Sequence, residues 1–132
     1  MKRGTFRARN LMLVKGNSEA EVGTQSRLAF ASVPDLKIPI RELARLHGVG
    51  PATASAALAA LRPDLFPFFD EDVAVQIPGL GPVAFTSGYY ARYGTALRER
   101  AAVLEERAPG HRWTAQDLAQ ALWATRPSPE KT

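Results

Sequence analysis

Leu43 to Leu58 reads LARLHGVGPATASAAL, and the fold follows from how this stretch is parsed. Two short apolar patterns flank a turn, His47-Gly48-Val49-Gly50-Pro51. Before the turn, Pro39 suits the first turn of a helix that carries Ile40, Leu43, Ala44 and Leu46 on one face. After it, Pro51 again suits a first-turn position, and the helix from Pro51 to Leu61 is nearly all small: Ala52, Ala54, Ser55, Ala56, Ala57, Ala59 and Ala60. Small side chains let two helices approach closely, as a tight hairpin demands. Gly48 and Gly50 permit positive φ, and Val49 between them can turn inward to anchor the turn. The reading is a hairpin of two helices spanning residues 39–62.

Working outward, the remaining pattern is helical as well. Thr5 to Lys15 fits a short helix with Phe6, Leu11, Met12 and Val14 available to pack. Ser18 with Glu21 makes a capping box for a helix running to about Ser32, though Val22, Leu28 and Phe30 fit one face only loosely. Pro34-Asp35 breaks it. Past the hairpin, Arg62-Pro63-Asp64 ends the second helix and Leu65 to Phe69 forms a dense apolar connector. Asp70 can cap a short helix beginning Glu71-Asp72-Val73, and Val73 to Ile77 reads alternatively as a short strand without a partner. Ile77 to Pro82 is turn-rich. A long helix is predicted from Ser87 to Arg107, and Thr114 with Asp117 opens a last one holding Leu118, Leu122 and Trp123. The chain is expected to be all-α, a single helical domain over residues 1–132 with no linker.

Composition narrows the chemistry. There is no cysteine, which excludes disulfides, thiolate zinc sites and an iron–sulfur cluster. His47 and His111 with scattered carboxylates give no metal-ligand spacing. The apolar run Leu11 to Val14 is too short for a signal-peptide core, and nothing approaches a membrane span of about 20 residues. A cytoplasmic protein with no membrane partner is expected. The net charge is +4, and residues 1–15 hold Lys2, Arg3, Arg7, Arg9 and Lys15 with no acid. Such a concentration serves either a phosphate-binding face or a solvated basic tail.

A glycine turn that opens a helix is also an anion site. Around Gly48 to Ala52 no bulky side chain shields the main-chain amides, and the helix end adds partial positive charge. Thr53 can add a hydroxyl and His47, at the edge, a ring nitrogen; a bland surface histidine is the alternative. Such a site holds a phosphate without reading bases. Tyr89, Tyr90 and Tyr93 either stack on bases or pack in the core. Trp113 and Trp123 read as core or interface.

The segment LHGVGPATASAALAALRPDLFPFFDEDVA resembles the helix-hairpin-helix DNA glycosylase superfamily, which includes endonuclease III, the adenine glycosylase MutY and the 8-oxoguanine glycosylases. Those enzymes carry an L-P-G-V-G-x-x-T-A hairpin followed by an aspartate about twenty residues beyond its second glycine. Here Asp70 lies twenty residues after Gly50. The resemblance covers roughly Pro39 to Val75. It implies a glycosylase-like helical domain linked to DNA repair and binding duplex DNA by its backbone. It also implies a monovalent cation, potassium or sodium, on the main-chain carbonyls of Ala44, Leu46 and Val49. The carboxylate matching Asp70 would stabilise the developing sugar cation or activate water while the base is flipped out. Three features depart from the enzymes. Ala52 stands where bifunctional members have a Schiff-base lysine, which removes β-lyase chemistry. Asp72 stands where many have histidine, and 132 residues leave little room for a two-domain cleft. Asp70 is equally suited to plain helix capping.

A wider similarity is to a less characterised helix-hairpin-helix family. Its R-G-x-F-R, G-V-G-P-A-T-A-S, F-F-x-D/E and final Trp-containing helix match Arg3–Arg7, Gly48–Ser55, Phe68–Asp72 and Thr114–Trp123. Members carry further residues before the first of these, and the resemblance implies either a form shortened at its N-terminus or a misassigned start codon. Two readings stand beside backbone binding: a monofunctional glycosylase using Asp70, and a non-catalytic protein-interaction scaffold presenting the tyrosine helix. Oligomeric state is not legible.

Overall fold

A computed structural model describes residues 8–108 and 110–127. Among them are seven helices and no strand: α1 (Ala8–Lys15), α2 (Glu19–Ala31), α3 (Lys37–Leu43), α4 (Pro51–Leu61), α5 (Glu71–Ala74), α6 (Ser87–Arg107) and α7 (Ala115–Ala124). The domain is all-α. The expected start of the first helix, Thr5 to Arg7, lies outside the described residues.

Local chemistry sets most boundaries. Ser18 and Glu21 form a reciprocal capping box at α2, and Thr114 and Asp117 repeat it at α7. Thr86 caps α6 by accepting from the Tyr89 amide. The Asp35 carboxylate accepts from the amides of Lys37 at 3.0 Å and Ile38 at 2.7 Å, fixing the start of α3. The residues that suggested a strand, Val73 to Ile77, instead continue α5 into a turn, because Asp70 opens a helix there by accepting the Asp72 amide at 2.8 Å.

The 21-residue α6 is the pillar of the fold. Its buried stripe of Tyr90, Tyr93, Gly94, Leu97 and Ala101 recurs at helical spacing. Gly94 faces Leu36 so closely that a Cβ there would lie 2.7 Å from a Leu36 methyl carbon. That seats α6 on the corner leading into α3. Helix α2 packs along α3, and α7 crosses α6 and α5. Between them lies one apolar core holding Ile40, Leu58, Phe66, Phe69, Val73 and Leu97. Phe69 sits among four rings, 4.8 Å from Phe85 and 5.2 Å from Tyr93 between centroids, with Tyr89 and Tyr90 completing the group.

Several expectations change here. Tyr90 and Tyr93 are fully buried and Tyr89 nearly so, so they are core and cannot stack on bases. Their hydroxyls are spent: Tyr90 donates to the Pro67 carbonyl at 2.8 Å and Tyr93 to that of Phe68 at 2.7 Å. Burial pushes both phenols well above the usual tyrosine range. Trp113 packs against the core, whereas Trp123 is exposed. Helix α3 stops at Leu43, earlier than the apolar face suggested, which leaves Ala44 and Leu46 in the turn. Met12, Val22, Leu28 and Phe30 are exposed rather than packed.

Candidate nucleic-acid interface

Helix α3, a seven-residue turn and α4 form the hairpin that the glycines suggested. Gly48 has φ of +77°, a left-handed conformation that costs an L-residue roughly 1–2 kcal/mol. Gly50 does not: its φ is −96° with ψ of −178°, extended backbone open to any residue. Gly50 therefore does not use the positive φ that glycine permits. A Cβ built on Gly50 would meet nothing within 4 Å, so neither conformation nor packing calls for glycine there. The space kept clear lies on the outside.

Gly50 is also the N-cap of α4 and has no side chain with which to accept the first-turn amides. Pro51 contributes no N–H, and the first intrahelical bond runs from the Ala54 amide to the Gly50 carbonyl at 2.9 Å. The amides of Ala52 and Thr53 thus head an eleven-residue helix whose cap supplies no acceptor. Both residues are half-buried, while Gly50 is exposed. Val49 packs against the core as expected. Ala57, among the small residues of α4, is exposed.

The turn is held from two sides. Beneath it, Glu42 is buried and ion-paired with Arg41 at 3.5 Å and Arg45 at 3.4 Å, and Gln25 of α2 donates to its carbonyl at 2.7 Å. Beside it, Asn17 binds the His47 main chain. The side chain accepts from the His47 amide at 2.9 Å and donates to the His47 carbonyl at 2.9 Å. This contact spans thirty residues and is invisible to any local sequence pattern. The His47 ring is exposed and lies within the field of Glu21. The Ser18 amide bond holds the Glu21 carboxyl below its usual range, with His47 adding a smaller lowering. Of the basic residues expected to assist, Arg3 and Arg7 lie outside the described residues, as does the side chain of Arg9.

The carbonyls named for a monovalent cation are on this same turn. The Leu46 oxygen accepts the Val49 amide at 3.2 Å, which leaves it a second lone pair. Neutral carbonyl oxygens are the donors a hard monovalent cation takes, so the set fits such an ion in kind.

Asp70 stands at the far end of α4's connector. Ser55, fully buried in α4, accepts the Phe69 amide at 2.8 Å and donates to the Ala52 carbonyl at 2.7 Å. The Asp70 amide donates to the Tyr93 hydroxyl at 3.4 Å. One helix therefore carries the glycine turn at its N-terminus and, through Ser55, fixes the residue before Asp70 from its interior. Asp70 is 4% exposed and its carboxylate caps α5. It also lines a cavity of about 340 Å³ with Phe68, Val73, Gln116, Gln120 and Trp123. At its rim Arg126 lies 3.6 Å over the Trp123 ring and pairs with Asp72 at 3.7 Å. The sequence placed Asp70 at a fixed distance from the hairpin, through α4 and the connector that follows it. It did not foresee an aromatic-walled cavity built by α7.

No protein-family model, curated protein or solved structure matches the chain. Among the described residues no helix is long and apolar enough to cross a membrane.

Proposed function

We propose that the chain binds the backbone of duplex DNA without sequence preference, through the α3–α4 hairpin. The observation that carries this reading is Gly50. The fold leaves it open, exposed and unstrained, at the cap of a helix whose N-cap offers no side-chain acceptor to the first amides. A phosphate oxygen approaching those amides explains an absent side chain where the protein interior does not. His47, Gly48, Val49, Ala52 and Thr53 frame the contact, with Arg3, Arg7 and Arg9 adding salt-dependent attraction. A potassium or sodium ion on the carbonyls of Ala44, Leu46 and Val49 would supply a positive charge beside the same phosphate.

The test is titration of a labelled duplex at several salt concentrations. Affinity should fall linearly on a log–log plot and collapse in Gly50→Glu, which puts a carboxylate where the phosphate belongs. Binding that ignores both salt and that substitution defeats the proposal.

A second reading, hydrolytic base release as in a DNA repair glycosylase, is favoured by one feature: Asp70 lines the cavity between Phe68 and Trp123. There the carboxylate would act on the sugar carbon or on water. Base release from a panel of damaged duplexes, lost in Asp70→Asn, would establish it.

A further inference from the structure

Asn17 makes three hydrogen bonds with one carboxamide, all to main chain. Its amide nitrogen donates to Val14 at 3.0 Å, closing the end of α1, and to His47 at 2.9 Å. Its oxygen accepts the His47 amide at 2.9 Å. Asparagine and glutamine present a donor and an acceptor on one fork, and the shorter of them engages both sides of a single residue's main chain here.

The residue it grips directly precedes Gly48, the one hairpin position in a left-handed conformation. Fixing both polar groups of His47 fixes the peptide planes that enter the turn. Those planes set where the following amides point. The two fork bonds are solvent-exposed, so they add little to global stability, yet nothing else described holds the His47 main chain from outside the turn.

We propose that Asn17 is a positioning residue for the hairpin's phosphate contact, keeping the turn in its binding-competent form; this rests on the backbone-binding reading above. The α1–α2 junction is then part of the binding apparatus without touching the ligand. Loss of the fork frees the turn, and apparent affinity falls by the fraction of turns no longer competent.

The experiment compares wild type, Asn17→Ala and Gly50→Glu on one labelled duplex, with amide exchange of His47 followed by NMR. Wild type binds and Gly50→Glu does not, if the backbone reading holds. Asn17→Ala should then bind about five- to tenfold more weakly, with an unchanged salt slope because no charge contact is lost. Its thermal midpoint should stay close to wild type while His47 exchange accelerates. Asn17→Ser, which lacks the two-pronged fork, should behave alike and serves if the alanine variant folds poorly. Wild-type affinity in a variant whose His47 amide exchanges faster overturns the proposal while leaving the backbone reading intact. A wild-type protein that binds no duplex overturns both.

Discussion

Replacing each hairpin glycine by alanine should separate what the fold needs from what a ligand needs. At Gly48, with φ of +77°, alanine pays a left-handed penalty of roughly 1–2 kcal/mol. A stiffer unfolded chain returns about 0.4–1 kcal/mol. The net loss of about 1 kcal/mol corresponds to a melting shift of about 3–5 °C for a domain of this size. At Gly50 the backbone is extended and a new methyl meets nothing within 4 Å. The same unfolded-state gain applies there, against a loss of a few tenths to about 1 kcal/mol for alanine as an N-cap. The two nearly cancel. Gly50→Ala should therefore melt within about 2 °C of wild type, yet its methyl stands between an approaching phosphate and the Ala52 and Thr53 amides. A charge-assisted hydrogen bond is worth about 1.5–3 kcal/mol, so affinity for duplex DNA should drop at least about tenfold. Thermal denaturation and fluorescence anisotropy on the two variants suffice. If Gly50→Ala binds as tightly as wild type, the phosphate-grip argument is wrong whatever Gly48→Ala does.

Ser55→Ala removes the acceptor of the buried Phe69 amide and should cost about 1–3 kcal/mol by urea denaturation. Tyr93→Phe removes the donor to the Phe68 carbonyl and the acceptor of the Asp70 amide and should cost about 1–3 kcal/mol by the same measurement. Tyr90 and Tyr93 have folded-state values raised above the usual 10.0. The unfolded chain therefore loses those protons first, and stability is full below pH 10 and declines above it. The decline should reach about 1.4 kcal/mol per pH unit for each tyrosine, read as alkaline unfolding coincident with tyrosinate absorbance. Asp70→Asn retains an N-cap of comparable quality, so duplex affinity should persist; a large loss of binding would show that the carboxylate is no mere cap.

Helix positions were legible because their causes are local. Ser18 with Glu21 and Thr114 with Asp117 cap at short range, and the proline and glycine signals around residues 48–51 act within a turn. Burial of Tyr90 and Tyr93 was only half legible: their spacing marks a face, but what covers it comes from the connector at Pro67 to Phe69. At the candidate site, the hairpin and the distance to Asp70 could be read from the chain, since one helix joins them. The Asn17 grip on His47 and the cavity wall from Gln116, Gln120 and Trp123 could not. Both are made by elements remote in sequence, and no local residue preference encodes them. Of the two properties read at Gly50, freedom of φ is not used, whereas the absence of a shielding side chain is what the open space around it reflects.

Arg126 over Trp123 has a practical consequence. The indole is exposed, capped by a guanidinium at 3.6 Å and tethered through it to Asp72 beside the cavity. The other indole, Trp113, packs against the core beside His111. The protein thus carries an optical reporter at the cavity mouth and a second one as internal reference. Any molecule that enters between Phe68 and Trp123, or draws Arg126 away, changes the emission of one indole and leaves the other nearly constant. Occupancy of that cavity can be screened in plain solution, with no label attached.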